Sequence, residues 1–275
     1  MSKILHALAR TLIVLCLTAF AAPTLASNVL VVATTSDSTQ NAAYTRLNTL
    51  LVGRGDTVTQ ALTTPANLAP YTIIYDLRVI APTRSGAELT QYVGFLNAAP
   101  GNVLFLLGEN VGYGGAGNAP ISAFITQAGG GTVAVPATST TGAQTLTPAF
   151  NTPNAVGTVP FNLAGVVTTT GTGAFGATLP GGVTGSVLSF SPGTLANAAT
   201  GALVVVYDIN FLSSDAAGSN GGRFAQNLVN YVAVGAPPVA PAAPVPTLSE
   251  WAMILFGTLL AGGAALYIQR RQMAI

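Results

Sequence analysis

The stretch NVLVVATT, residues 28–35, decides the fold of this chain. It is a continuous run of apolar and β-branched residues, which is typical of a strand buried on both faces of a sheet. Residues 38–52 follow with apolar side chains at helical spacing, and Gly53 and Gly55 end that segment. A buried strand that leads directly into a helix predicts a parallel sheet covered by helices.

The same alternation of strand and helix continues along the chain. Because right-handed crossovers place helices on both faces of such a sheet, we predict a flavodoxin-like α/β fold with an open, mostly parallel sheet in the strand order 2-1-3-4-5. Further strands are predicted at 57–62, 71–75, 102–107, 132–135 and 202–207, and further helices at 85–98, 121–128 and 222–234.

Residues 137–200 interrupt the alternation within an α/β domain that we place at 27–234. The segment has no charged residue and is rich in Thr and Gly. Glycine and β-branched residues disfavour helix, so we expect an inserted set of hairpins or extended loops packed beside the sheet. Disorder is the alternative, but Val, Leu and Phe recur here and disordered segments usually lack them.

The first residues predict export. Basic residues flank the start of the apolar stretch 11–22, and small residues near Ala26 fit cleavage by signal peptidase. We therefore predict a signal peptide over 1–26, with an uncleaved anchor as the alternative.

The last residues predict a membrane anchor. Residues 251–268 form a run of 18 without a charge, which is at the lower limit for a transmembrane helix. Arg270 and Arg271 follow, so the C-terminus is expected on the cytoplasmic side. A Pro/Ala spacer over 235–246 precedes the run, and a buried C-terminal helix is the alternative.

The residues before and after the apolar run form a recognisable tail. Val245 and Pro246 lead into Thr247 and Leu248, and Trp251 opens the apolar run that the two arginines close. This order resembles the IPTL-CTERM sorting signal, a relative of the PEP-CTERM tail of Gram-negative bacteria, with Val where Ile is usual. The resemblance implies a sorting signal over 247–275, removed by an exosortase-type enzyme at the inner membrane. The body would then pass to the cell envelope, cell surface or extracellular matrix.

The composition excludes several kinds of site. Charged residues are 6% of the chain, against about 25% in ordinary soluble domains. Residues 27–245 contain no Lys, His or Cys, which excludes Ser-His-Asp and Cys-His sites and zinc held by His or Cys. The few arginines form no basic patch, so we expect no nucleic-acid partner. We expect no cofactor.

The predicted strands also carry a looser resemblance. NVLVVATT, NVLFLLGEN and ALVVVYDINFL are similar in arrangement to the class I glutamine amidotransferase-like superfamily and its ThuA-like members. Catalytic members place a Cys after the fourth strand, where this chain has Gly108, Glu109 and Asn110. Because the catalytic His is absent too, the resemblance implies the fold and not amidotransferase activity.

Polar residues gather where the predicted strands end. Ligands of open α/β sheets bind beyond the carboxyl ends of the strands. We therefore predict a polar cleft there for a small hydrophilic ligand such as an envelope sugar, or for a hard cation held by oxygens. The alternative is that these acids cap the following helices and pair with arginines. The candidates are Asp37, Asp76, Arg78, Glu109, Asn110, Asp208 and Asn210.

Two functions remain open. The favoured one is a non-enzymatic exported protein whose body binds a ligand or assembles in the envelope or matrix. The other is an enzyme that uses strand-end carboxylates, either a carbohydrate-active hydrolase or a degenerate amidotransferase-like enzyme, with Glu109 and Asp208 as the catalytic candidates. Enzymes that cleave glycosides hold their two carboxylates ~5 to ~10 Å apart. The glycine-rich residues 112–117 are interpreted as a flexible turn before a helix rather than a phosphate-binding loop.

Overall fold

The computed structural model describes residues 26–134 and 139–236 of the chain. The predicted spacer beyond residue 236, the transmembrane segment, the sorting signal and nearly all of the predicted signal peptide lie outside these residues. Within the two described ranges, no helix is both long enough and apolar enough to cross a membrane.

Nine strands and five helices make up the described part. The helices are α1 (Ser38–Gly53), α2 (Gly86–Ala98), α3 (Val111–Gln127), α4 (Asn210–Ser213) and α5 (Asn220–Ala233), and a 3-10 turn lies at Pro148–Phe150. The strands are β1 (Asn28–Val32), β2 (Thr57–Ala61), β3 (Ile73–Asp76), β4 (Val103–Leu107), β5 (Ser139–Leu146), β6 (Thr158–Gly165), β7 (Ala174–Thr178), β8 (Val187–Phe190) and β9 (Ala202–Val206).

All nine strands form one sheet in the order β2-β1-β3-β4-β9-β8-β7-β5-β6. Parallel pairings join the first five strands, and β2, β1, β3 and β4 have the predicted order. β9 takes the fifth position, in place of the strand predicted at 132–135. The remaining pairings are antiparallel. The sheet is therefore half parallel and half antiparallel, and the prediction of a mostly parallel sheet was wrong.

The inserted region extends this sheet rather than packing beside it. β8 pairs with β9 from Val187↔Val206 to Phe190↔Leu203, and every residue of β8 is buried. Only within a sheet can such a strand both satisfy its backbone hydrogen bonds and bury its side chains. Without the insertion, one edge of β9 would have unpaired backbone groups, and β8 of the insertion pairs with that edge.

The strand predicted at 132–135 is not found over 132–134, and Val135 lies outside the described residues. The backbone there bonds to a neighbouring loop instead. The Thr169 hydroxyl donates to the Thr132 carbonyl oxygen at 3.4 Å, and Ala134 N–H donates to the Thr169 hydroxyl at 3.2 Å. These bonds take up two of the backbone groups that a strand would use for pairing.

The predicted glycine turn at 112–117 was also wrong, because these residues belong to α3. Asn110 caps the helix, its side chain accepting from Tyr113 N–H at 3.0 Å. The helix kinks at Gly114, and a Cβ on Gly117 would come within 2.7 Å of the Val79 carbonyl oxygen. The glycines therefore permit close packing rather than a flexible loop.

Helices cover both faces of the sheet, as predicted. Val29 and Val31 face the layer of α1 and α5, whereas Leu30 and Val32 face the layer of α2 and α3. Both sets of strand side chains are fully buried, which explains the continuous apolar sequence of β1. The carboxyl ends of β1, β3, β4 and β9 meet at one edge, where the candidate residues lie.

Candidate functional site

The structure places four of the candidate residues at this edge in two buried groups: Asp76, Arg78, Glu109 and Asp208. We call the first the arginine centre; it surrounds Asp76 at the end of β3. We call the second the acid pair; it consists of Glu109 after β4 and Asp208 after β9. The two groups share the same sheet edge and differ in whether a cation is present.

In the arginine centre, Asp76 is completely buried between two guanidinium groups. Arg78 Nη2 lies 2.6 Å from Asp76 Oδ2, and Arg84 Nε lies 3.1 Å from the same oxygen. The Tyr92 hydroxyl donates to it at 2.8 Å. Burial alone would raise the pKa of Asp76, but the charges of Arg84 and Arg78 and the hydrogen bonds from Arg78 lower it below its ordinary value.

The arginines also join separate elements. Arg78 Nη1 lies 2.7 Å from Glu88 Oε1, and Glu88 forms a capping box with Ser85 at the start of α2. Arg84 donates to the carbonyl oxygens of Asp76 at 2.9 Å and of Leu107 at 3.1 Å, which fastens β3 to β4. The charges of Asp76 and Arg78 are therefore neutralised inside the fold, as the pairing alternative anticipates.

In the acid pair, Glu109 has 1% of its surface exposed and Asp208 has none. Glu109 Oε1 accepts from the backbone and side-chain amides of Asn110 at 2.7 and 2.9 Å, and Oε2 accepts from Ile209 N–H at 2.7 Å. Asp208 Oδ1 accepts from Asn210 N–H at 2.6 Å, and Oδ2 accepts from Asn162 N–H at 2.8 Å. Each carboxylate is therefore held mainly by backbone amides.

No cation neutralises these two carboxylates among the described residues. Burial raises the pKa of Glu109 above its ordinary value. Burial and then the charge of Glu109 raise the pKa of Asp208 to about 7. Two like charges in one buried place disfavour double ionisation, so the pair tends to hold a proton near neutral pH.

The hydrogen bonds limit how far apart the two carboxyl groups lie. Glu109 and Asp208 accept from the consecutive amides of Ile209 and Asn210, at 2.7 and 2.6 Å. The Cα atoms of consecutive residues are about 3.8 Å apart, and their amide nitrogens are separated by a similar distance. This spacing and the two hydrogen-bond lengths together place Glu109 Oε2 and Asp208 Oδ1 within about 9 Å of each other. This separation is compatible with a glycosidase, but the burial of both side chains leaves no direct path for a substrate.

Three cavities of the described residues lie away from the acid pair. Neither Glu109 nor Asp208 lines any of these three cavities. One of about 460 Å³ lies between the turn after β5 and α5, a second of about 210 Å³ lies between the end of α1 and α5, and a third of about 450 Å³ lies between α2 and residues 68–72.

The remaining candidates act largely as helix caps or links. Asp37 caps α1 through Gln40 N–H at 2.9 Å and accepts from the Tyr113 hydroxyl at 2.9 Å. Asn210 Nδ2 donates to the Asn162 carbonyl oxygen at 2.9 Å. Among the candidate acids, the capping alternative thus describes Asp37, and no ion pair joins Arg223 to these acids within the described ranges.

Sequence reasoning missed four residues around these groups: Arg84, Tyr92, Asn162 and Leu163. Residues 27–245 contain only five arginines, and this rarity is the signal by which Arg84 could have been found. Asn162 and Leu163 lie in the uncharged insertion, where nothing marks them. Leu163 has a φ of 56° and is 53% exposed, which is a strained conformation for leucine beside the acid pair.

Metal binding has little support in the described part of the chain. No group of three or more His, Cys, Asp or Glu side chains that could hold a metal ion occurs there. The acid pair supplies only two carboxylates, and backbone N–H groups, which a cation repels, already donate to all four carboxylate oxygens. Such N–H donors suit a carboxylate anion rather than a cation.

Comparison with known proteins identifies the tail. Residues 243–272 match the IPTL-CTERM motif. The match overlaps the sorting signal predicted at 247–275, and it supports an exported protein with a C-terminal sorting signal. No curated protein matches the chain.

The body resembles a solved structure in fold. The mmIFT52 N-terminal domain superposes with a TM-score of 0.56 at 12% identity, and the match covers 79% of this chain and 100% of that one. At this identity the likeness shows the fold alone. The comparisons do not confirm the resemblance to amidotransferases.

Proposed function

We propose that this protein is exported, that an exosortase-type enzyme removes its C-terminal tail, and that its α/β body is a non-enzymatic binding or structural domain of the cell envelope or extracellular matrix. The observation that carries the proposal is the IPTL-CTERM match over residues 243–272. The predicted signal peptide, the predicted apolar span at 251–268 and the two arginines after it fit the same route.

Two features of the body support a role without catalysis. The arginine centre neutralises its charges internally, so neither Asp76 nor Arg78 is available to a ligand. The acid pair is buried and its oxygens already accept from backbone amides. A general acid or base must reach the proton that it transfers, and these carboxyl groups do not reach the surface.

One observation favours the alternative of a carbohydrate-active hydrolase. Burial raises the pKa of Asp208 to about 7, and a carboxyl group that keeps its proton near neutral pH is what a general acid needs. In that alternative, Glu109 and Asp208 act together, and the surrounding loops open to admit the sugar.

Tail removal is tested with the full chain in a Gram-negative host with and without an exosortase-type enzyme. Intact mass is measured on the membrane and secreted fractions. We expect the enzyme to convert the chain into a released form that lacks the tail. Pro246→Ala should reduce this conversion, whereas Pro241→Ala, which lies outside the matched residues, should not. An unchanged mass in the presence of the enzyme would overturn the sorting proposal.

The role of the body is tested with the same full chain and a panel of envelope polysaccharides. Release of reducing ends reports hydrolysis, and calorimetry reports binding. We expect no hydrolysis by the native protein. Hydrolysis that Glu109→Gln abolishes and Asp37→Asn leaves intact would establish the hydrolase alternative instead.

A further inference from the structure

The two edge strands of the sheet differ in how they are protected. At one edge, β6 contains Pro160, which has no amide proton to offer a further strand. Leu163 leaves the extended conformation with a φ of 56°, and the pairing of β5 with β6 shifts register between Thr140 and Gly142. Prolines and irregular backbone of this kind prevent another strand from adding to an edge.

At the opposite edge, β2 has none of these features. Its sequence is TVTQA, without charge, proline or glycine, and its register with β1 is continuous from Thr57 to Ala61. Thr57, Thr59 and Gln60 are exposed, and Val58 and Ala61 are partly exposed. Leu62 follows directly with 62% of its surface exposed. Proteins usually blunt such an edge with charges, and this one is regular and neutral.

The hydrogen bonds show which backbone groups of β2 are free. Thr57 N–H donates to the Ser27 carbonyl oxygen at 3.0 Å, and Ala61 O accepts from Ala33 N–H at 3.0 Å. In a parallel ladder alternate residues bond to the same neighbour. Val58 and Gln60 therefore direct their amide and carbonyl groups away from β1, where no other strand of the described chain pairs.

We propose that β2 pairs antiparallel with β2 of a second copy of this chain, about a two-fold axis at Thr59. Val58 of each copy then lies opposite Gln60 of the other, and each such pair exchanges two backbone hydrogen bonds. The outward N–H and C=O groups of Val58 and Gln60 in both copies are then all hydrogen-bonded. Thr59 faces its own equivalent in a non-hydrogen-bonded position, where threonine side chains pack well.

A second copy fits this edge better than other occupants for two reasons. The free groups of Val58 and Gln60 are self-complementary, and β2 has no charge that would repel its own equivalent. Pairing of β2 with β6 would instead give open-ended chains, and Pro160 and Leu163 disfavour it. The two-fold dimer closes the β2 edge and leaves the protected β6 edge outside. This inference concerns the fold and does not depend on the proposed function.

Cysteine cross-linking tests the register directly. Cys16 is the only cysteine, so the full chain with Cys16→Ser provides a background without thiols. Residues opposite each other in non-hydrogen-bonded pairs have Cα atoms about 4.5 Å apart, within the range that a disulfide spans. In detergent, mild oxidation of Thr59→Cys should convert most of the chain to a covalent dimer on a non-reducing gel. Thr45→Cys, on the exposed face of α1, should stay monomeric.

Two edge variants complete the test by sedimentation in the same detergent. Thr59→Lys places two positive charges opposite each other, and Gln60→Pro removes an outward amide that makes no internal bond. Both should give monomers with an unchanged circular dichroism spectrum, and either suffices if the other does not fold. A native chain that is monomeric, equal cross-linking at positions 59 and 45, or a dimer that survives in a folded edge variant would overturn the proposal.

Discussion

The arginine centre and the acid pair are both buried acidic groups at the carboxyl edge of one sheet, yet their pKa values move in opposite directions. Asp76 is flanked by Arg78 and Arg84, and its pKa falls below the ordinary value. Asp208 accepts from two backbone amides and interacts with the Asn210 side chain, and burial and the charge of Glu109 raise its pKa to about 7. Burial raises the pKa of both carboxyl groups, and only at Asp76 do neighbouring arginines outweigh it.

The comparison also separates what each group does for the fold. The arginine centre joins β3, β4 and α2 through opposite charges, so its ionised form stabilises the native state. In the acid pair the ionised form is disfavoured by burial and by the neighbouring charge. Groups with raised pKa values of this kind are the usual candidates for function, whereas neutralised clusters usually serve structure.

The largest expected effect comes from removing the acid of the arginine centre. Asp76→Asn leaves two buried guanidinium groups without their shared carboxylate. Breaking a buried pair in this way costs about 3–5 kcal/mol of unfolding free energy. Urea denaturation of the full chain measures the change. Asp37→Asn is the control, because asparagine caps helices as well as aspartate does, and it should have almost no effect.

The second effect is a pH dependence that distinguishes the two groups. The pKa of Asp208 is about 7 in the folded state against an ordinary value of 3.8, so the folded state binds the proton more tightly. The free energy of unfolding should therefore rise as pH falls from about 7 to about 4, on the order of 2–4 kcal/mol. The lowered pKa of Asp76 and that of Glu88, about 2, act in the opposite direction, and stability should be lost below about pH 4.

Stability measured by urea denaturation at a series of pH values checks this prediction. The maximum should lie near pH 4 to 5. Asp208→Asn should flatten the slope between about pH 4 and 7 and leave the acid limb unchanged. A native slope of the opposite sign would show that a cation reaches the acid pair.

The third effect concerns the outer carboxylate of the arginine centre. Glu88→Gln keeps the capping box but removes the charge that pairs with Arg78 at 2.7 Å. We expect a loss of about 1 kcal/mol, because the Glu88 side chain is partly exposed and Arg78 keeps its contacts with Asp76. A loss as large as that of Asp76→Asn would mean that the two carboxylates contribute equally.

The smallest effect is a gain in stability beside the acid pair. Leu163 has a φ of 56°, a conformation that costs a residue with a Cβ about 1 kcal/mol or more. Leu163→Gly should relieve this strain and raise the free energy of unfolding by about 0.5–1 kcal/mol. Leu163→Ala keeps the Cβ and should give no gain. If glycine destabilises the protein instead, the leucine side chain is needed there.

The sequence predicted the parallel half of the sheet well because its signal is local. β1, β4 and β9 are continuous apolar runs, and each is buried along most or all of its length. Helical spacing likewise marked α1, α2 and α5. The order of β2, β1, β3 and β4 followed from the general rules for α/β folds, whereas the fifth position belongs to β9 and not to the strand predicted at 132–135.

The insertion and the acid pair depend on contacts between distant residues, which no local pattern records. Asn162 reaches Asp208 across 46 positions, and Ile209 reaches Glu109 across 100. The sequence placed Glu109 and Asp208 at the same edge correctly. Their burial and lack of a cation could not be predicted, because both depend on how β6 and α4 close over them.

The position of β9 has a consequence for how the chain folds. β9 pairs with β4 through Val103↔Ala202, and the whole antiparallel half lies between these two strands in the sequence. Closing so long a loop is entropically unfavourable, and proteins rich in such distant pairings fold slowly. The middle of the sheet therefore cannot form until nearly the entire domain has been synthesised. Such late closure of the sheet is compatible with the proposed export, in which the chain crosses a membrane before it folds.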